Sequence, residues 1–182
     1  MLVVLSGHSE LKAWKAAEDE ALGLTIFEPG LGLLIQLQQH RGMSAGALGG
    51  NASMREKLDK KRLEVEEAVR RFEQAVTRAP EVWALKAPAQ AIRQQWDALR
   101  EKGLSLPGPQ NFAAHTAAIN DLIAFIGELD NASGLALDPE PGSYYLIAAA
   151  TMHMPEVSER LGKLRGMANG ILAAKQIDDT QK

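Results

Sequence analysis

Cysteine is absent from this 182-residue chain. That excludes disulfides, thiolate nucleophiles and cysteine-based zinc sites, and it leaves the redox compartment undecided, so that a periplasmic and a cytoplasmic home fit equally. Aromatic residues are scarce, at 5%, which suits helix-on-helix packing through leucine and alanine. An excess of charge of one sign is lacking too. The 20 basic and 23 acidic side chains leave a net charge of -3, and the block Lys60-Lys61-Arg62 is followed at once by Glu64, Glu66 and Glu67, so no basic face for nucleic acid stands out. Uninterrupted apolar runs stop short of the roughly 18 residues of a membrane span. The opening "MLVVLSGHSE" is too short in its apolar part, and too poor in preceding basic charge, for a signal peptide. A soluble chain with no membrane span is the expectation.

What is present is helical periodicity. Apolar residues make up 46% of the chain and recur at three- and four-residue steps, with almost no period-two alternation. The pattern predicts an all-α fold built as one domain over residues 1–182. A first segment, about 9 to 24, precedes Pro29, and a second carries the seam Leu34, Leu37, Arg41, Ser44 and Leu48 before Gly49-Gly50 stops it. Ser53 and Glu56 have capping-box spacing for a helix reaching about Thr77, with the seam Leu58, Arg62, Val65, Val69, Phe72 and Val76. A third helix is predicted from about Pro88 to Lys102, with Leu85, Ala89, Ile92, Trp96 and Leu99 inward. Asn111 is placed to cap a fourth, whose stripe is Phe112, His115, Ile119, Leu122, Ile126 and Leu129 and which ends near Ser133-Gly134. Asp138 is placed to cap another, which Pro155 kinks or splits before Val157, Leu161, Leu164, Ala168 and Ile171. Short connections between such helices favour an antiparallel up-down bundle.

Gly42-Met43-Ser44-Ala45-Gly46 spells the pattern of a hydrolase nucleophile elbow, with Asp138 and His153 downstream as an acid and a base. An elbow needs a strand before the serine, whereas Leu34 and Leu37 put a helix there. The small residues therefore read better as a close helix contact, and no enzyme is expected. None of His8, His40, His115 and His153 has a glutamate three residues before it, so a carboxylate-bridged metal pair is not expected and no cofactor is implied. His8, with Lys12 beside it, is the nearest approach to a phosphotransfer histidine, and His115 reads as a core histidine.

The arginines carry more information. Arg41 and Arg62 interrupt the apolar seams of consecutive helices, each about ten residues from the turn at Gly50-Asn51, so both sit roughly 15 Å below it in an antiparallel hairpin. A buried like-charge pair needs neutralising. Either an internal acid such as Asp121 pairs with them and the cluster is structural, or a small anion is held by the guanidinium forks.

The segment "LIQLQQHRGMSAGAL" resembles the opening helix of the nitrate- and nitrite-sensing domain through Leu37, Gln38, Arg41, Gly42, Ser44 and Ala45, with His40 where an acidic residue is common. The stretch "GLALDPEPGSYYLIAAATMHMPEVSERLGKLRGMANG" is similar to the Leu-Asp-Pro, Tyr-Tyr-Leu and Leu-Gly-x-Leu-Arg run of helical sensor regions in bacterial chemotaxis receptors and histidine kinases. The resemblance implies an input module that binds a small anion such as nitrate or nitrite, works as a homodimer and passes a shift to an output signalling domain or partner protein. It carries the family's anion-binding arginine to Arg41. Arg62 rests on the bundle geometry, and Ser44 completes the expected ligand-binding set. An excised receptor ectodomain, a truncated gene product and a free-standing module all fit. A structural or interaction bundle without ligand is the alternative, and a hydrolase using Ser44 a distant third.

Overall fold

The computed structural model describes residues 2–137 and 141–174, with side chains for residues 10–137, 141–166 and 168. All of its elements are helical, and no strand occurs among the described residues. Helices α1 (Leu2–Leu48), α2 (Ala52–Val76), α3 (Lys86–Lys102) and α4 (Gly108–Ser133) form a ring in which each packs on the next and α4 returns to α1. A short α5 (Pro141–Ala148) passes through a π-helical turn (Ala149–His153) into α6 (Met154–Ala174), which lies against α1 and α4. Asp138, expected to cap a helix, and the side chains of His8 and Ile171 lie outside the described residues.

Close pairs fix the directions. Gly23 faces Ser133, Gly30 faces Ile126 and His40 faces His115, so α1 and α4 run antiparallel. Gln38 meets Ser158 while Arg41 meets Glu159 and Gly162, so α6 runs parallel to α1. The core is the set of apolar stripes turned into the ring: Leu33, Leu34 and Leu37 from α1, Val65, Val69 and Phe72 from α2, Ile92 and Trp96 from α3, and Ile119, Leu122 and Phe125 from α4. Each such side chain contributes roughly 1.5–3 kcal/mol on burial. Phe72 and Phe125 meet edge to face with centroids 4.9 Å apart.

Several boundaries differ from the expectation. Pro29 does not divide α1. It removes the hydrogen bond to the Thr25 carbonyl, but Thr25 is exposed and solvent can serve that group, while Ile26 and Leu33 carry the buried stripe past it. The α2 cap is Asn51, whose side chain accepts from the Met54 amide at 3.1 Å, rather than Ser53. Asn111 caps nothing. It is buried inside α4, and its Nδ2 donates to the Gly103 carbonyl, tying the α3–α4 connection to the bundle. Gly50 and Gly134 close α1 and α4 with φ of 90° and 85°, values that glycine adopts without strain.

Pro155 does mark an irregularity, and the form it takes is a π turn. The Met154 amide reaches back to the Ala149 carbonyl, and Pro155 follows in the first turn of α6, where a missing amide hydrogen costs least. The extra residue re-phases the helix. Val157, Leu161 and Leu164, expected to point inward, are 50%, 60% and 62% exposed, whereas Pro155 and Glu159 are buried. Placing the leucine stripe against α1 would have left Arg41 without a counter-charge. Ala168 is exposed as well.

By length and composition alone, α1 between Glu10 and Leu48 is apolar enough to cross a membrane, contrary to the reading of the sequence by uninterrupted runs. Its apolar stripe is occupied within the bundle by α2 and α4.

Candidate functional site

Arg41 is the site's centre. It leaves α1 one residue after His40 and points between α4 and α6, where it is 2% exposed. Its Nη1 donates to Glu159 Oε1 at 2.6 Å and to Thr116 Oγ1 at 2.9 Å, and its Nη2 donates to Glu159 Oε2 at 2.9 Å. The guanidinium also lies 4.7 Å from the centroid of the Phe112 ring. Glu159, 3% exposed, faces Gln38 Nε2 at 3.3 Å and Lys163 Nζ at 3.6 Å as well. The internal acid is therefore Glu159 on α6. Asp121, the acid named from spacing, is exposed and accepts from Gln95.

Two glycines make this approach feasible. A Cβ on Gly162 would lie 2.8 Å from Arg41 Nη2, and one on Gly166 would lie 2.6 Å from Phe112 Cε2. Both distances are far inside van der Waals contact, so a side chain at either position would displace the arginine's tip or the ring, and glycine lets α6 sit this close with both in place.

Beside the pair, the last turns of α1, the start of α2 and α6 enclose a groove of about 530 Å³. Arg41, Phe112, Gly162 and Arg165 line it, and Asn51 and Met54 bring the amide end of α2 to its rim. Arg165 is exposed and has no ion-pair partner among the described residues. Among the described residues, one neutralised and one unpaired guanidinium together with a helix N-terminus give the groove a positive potential. A larger groove of about 750 Å³ between α1 and α2 has the opposite character: Glu28, Glu64 and Glu67 outnumber Lys60 and Arg71 there, which is poor company for an anion.

The other residues singled out from the sequence lie elsewhere. Arg62 projects from α2, its side chain 28% exposed, with Nη1 3.2 Å from Asp59 Oδ1 and Nε buried without a partner. The buried cation of that helix is Lys61, which donates to Gln36 and Gln39 of α1 and to Glu64. Ser44 is fully buried, its hydroxyl 3.4 Å from His40 Nδ1. The G-x-S-x-G run lies wholly inside α1, so the strand-to-helix elbow that the hydrolase reading requires is not formed there.

Between these groups lies a pair of buried imidazoles. His40 Nδ1 is 2.8 Å from His115 Nε2, and His115 Nδ1 is 2.8 Å from the Asn111 carbonyl. Burial lowers the His40 pKa to about 3, helped by the positive fields of His115, Arg62 and Lys61. Burial likewise lowers His115 to about 4, the Asn111 carbonyl opposing and Arg41 reinforcing the shift. Both rings are neutral at physiological pH. Arg62 and Arg41 thus flank the pair, and only Arg41 reaches the groove. No three His, Asp or Glu side chains gather as a metal site among the described residues.

Sequence reasoning missed Glu159 and Arg165. Both lie in the "SERLGKLRG" run, whose Gly162 and Gly166 four residues apart were the available signal for a face that meets another helix closely.

A helical bundle that presents arginines to an amide-rimmed groove through a glycine-faced helix defines an all-α module with a positively charged cleft. The chain belongs to the nitrate and nitrite sensing family, whose sequence model matches residues 32–182. The matched span begins within α1, just before the Leu33–Ser44 stripe, and includes every residue of the groove. No curated protein and no solved structure matches the chain. Membership makes the chain an input module of nitrate and nitrite sensing, a sensor family rather than a catalytic one.

Proposed function

We propose that the chain senses nitrate or nitrite by binding the ion in the groove beside Arg41 and reports occupancy through α6. The observation that carries this reading is the presence of Arg41 and Arg165, the latter with no ion-pair partner among the described residues, on the walls of one glycine-lined groove. Guanidinium forks suit a small planar oxyanion, which takes two parallel N–H bonds from one edge. The amide end of α2 adds favourable potential. In this reading Ser44 steadies His40 on the α1 turn that presents Arg41, Arg62 stays outside the groove, and Arg41 and Arg165 contact the ion.

The uncovered stripe Val157, Leu161 and Leu164 on α6 is assigned to a second copy of the chain, giving a dimer that transmits to an output domain or partner protein. Light scattering over a concentration series tests this, and a strict monomer at high concentration would remove it.

A structural bundle is the second reading, favoured by one observation: Arg41 is already neutralised by Glu159. Thermal melts with nitrate replacing chloride at constant ionic strength separate the two. Sensing predicts a saturable rise in melting temperature, reflecting a stabilisation of about 2.7 kcal/mol at a hundredfold excess over Kd, which Arg165→Ala weakens. A structural bundle predicts no shift.

A further inference from the structure

The Arg41–Glu159 contact has the geometry of an occupied anion site. A carboxylate is itself a planar oxyanion, and Glu159 meets the Nη1 and Nη2 edge with two bonds of 2.6 and 2.9 Å. Thr116 takes another Nη1 proton, Phe112 covers the face of the guanidinium and Gly162 abuts Nη2. An ion seeking two bonds from that edge finds Glu159 already there.

We propose that Glu159 is a built-in competitor for the anion site, occupying the Arg41 fork in the free protein and displaced from it when nitrate or nitrite binds. This rests on the reading that the anion binds beside Arg41. The released carboxylate has somewhere to go: Lys163 lies one turn further along the same helix at 3.6 Å and Gln38 lies across on α1 at 3.3 Å. Arg41, Lys163 and Arg165 outnumber Glu159, so the set carries two net positive charges before an ion arrives and one after. Because Glu159 belongs to α6 and Arg41 to α1, exchanging the carboxylate for a free ion replaces a buried charged link between the two helices with the weaker Gln38 contact. Occupancy is thereby converted into a looser or shifted α6, and a ligand that left the link intact would produce no such signal.

The competition also sets the affinity. A site whose competent form is a minor fraction binds with an apparent Kd raised by that fraction, so removing the competitor strengthens binding by about tenfold or more if the closed form exceeds about nine-tenths. Calorimetric titration of the full chain with sodium nitrate at fixed ionic strength tests this, on wild type, Glu159→Gln and Arg41→Ala. Glu159→Gln is expected to bind nitrate at least tenfold more tightly than the wild type and to lose the nitrate-dependent change in α6 amide exchange that the wild type shows. Arg41→Ala should bind none. Equal or weaker binding by Glu159→Gln, with Arg41→Ala still inactive, would mean that the ion uses another edge of Arg41 while Glu159 only orients it, and would overturn the competitor. Undiminished binding by Arg41→Ala would overturn the site itself. If Glu159→Gln does not fold without ligand, Glu159→Asp replaces it: the shortened acid should bind nitrate more tightly than the wild type, and equal or weaker binding counts against the competitor.

Discussion

His40 and His115 share one hydrogen bond that admits a single arrangement of protons. His115 donates from Nδ1 to the Asn111 carbonyl, so its Nε2 must accept from His40 Nδ1, leaving His40 Nε2 a bare acceptor with no partner. A third proton would have to sit on that buried nitrogen with no acceptor to receive it, which is why both rings resist charging. The unfolded chain takes up protons near pH 6.5, whereas the folded chain holds off until about pH 4 for His115 and about pH 3 for His40. The unfolded state therefore binds more protons throughout the interval, and stability falls as the pH drops through it. The slope should approach about 1.4 kcal/mol per pH unit for each histidine. Urea unfolding between pH 7.5 and 5 should show it, with His40→Gln removing about half of the slope; a flat profile would contradict neutral burial of the pair.

Arg41→Ala should destabilise the ligand-free protein by about 3–5 kcal/mol, because it strands the buried Glu159 carboxylate. Replacing both residues by apolar ones, Arg41→Met with Glu159→Leu, should recover most of that loss. Denaturant melts of the two single variants and the double variant check this. Additive losses would mean that the two side chains do not act as a pair.

Gly166→Ala places a methyl 2.6 Å from Phe112 Cε2 and must displace the ring or α6. A loss of about 1–3 kcal/mol is expected from such overpacking. Gly42→Ala is the control, since a Cβ there meets nothing within 4 Å. Equal effects of the two substitutions in thermal melts would show that α6 does not depend on the close approach.

Asp130 is buried on α4, and neither of its carboxylate oxygens has a hydrogen-bond partner among the described residues, because Thr151 spends its proton on the Ile147 carbonyl. Burial raises its pKa above the ordinary 3.8, so the folded state holds its proton longer and stability is lost as the pH rises past 3.8. Asp130→Asn should accordingly stabilise the protein at pH 7 and have little effect near pH 3.5. Melts at the two pH values decide it, and a destabilised variant at pH 7 would point to a charged Asp130 serving the π turn.

The ring of α1 to α4 was legible because its apolar stripes repeat at helical spacing, and Val65, Val69, Phe72, Ile92, Trp96 and Ile119 are buried as their positions require. Arg41 was legible for the same reason, as a charge on an apolar seam. Arg62 was assigned to the seam one residue too far along, since the neighbouring Lys61 takes the buried position and its glutamine partners are invisible to a periodicity argument. The face of α6 could not be read from hydrophobicity. A buried guanidinium selected Glu159, Gly162 and Gly166 over three apolar residues, and that choice is made by a contact across roughly 120 positions of sequence, which local spacing does not encode.

Among the described side chains, none of the large apolar ones that are buried comes from α5 or α6; the π turn buries Thr151 and α6 buries Pro155 and Glu159. Scaffold and arm are thus separate accounts of free energy. Substitutions in the Trp96 and Phe72 core act on the scaffold directly, while a change at Gly162 acts first on the docking of α6 and one at Glu159 reaches the scaffold only through Arg41. On the proposed reading, such a chain retunes its response threshold by drift in a single helix, a freedom denied to sensors whose moving part is also part of their core.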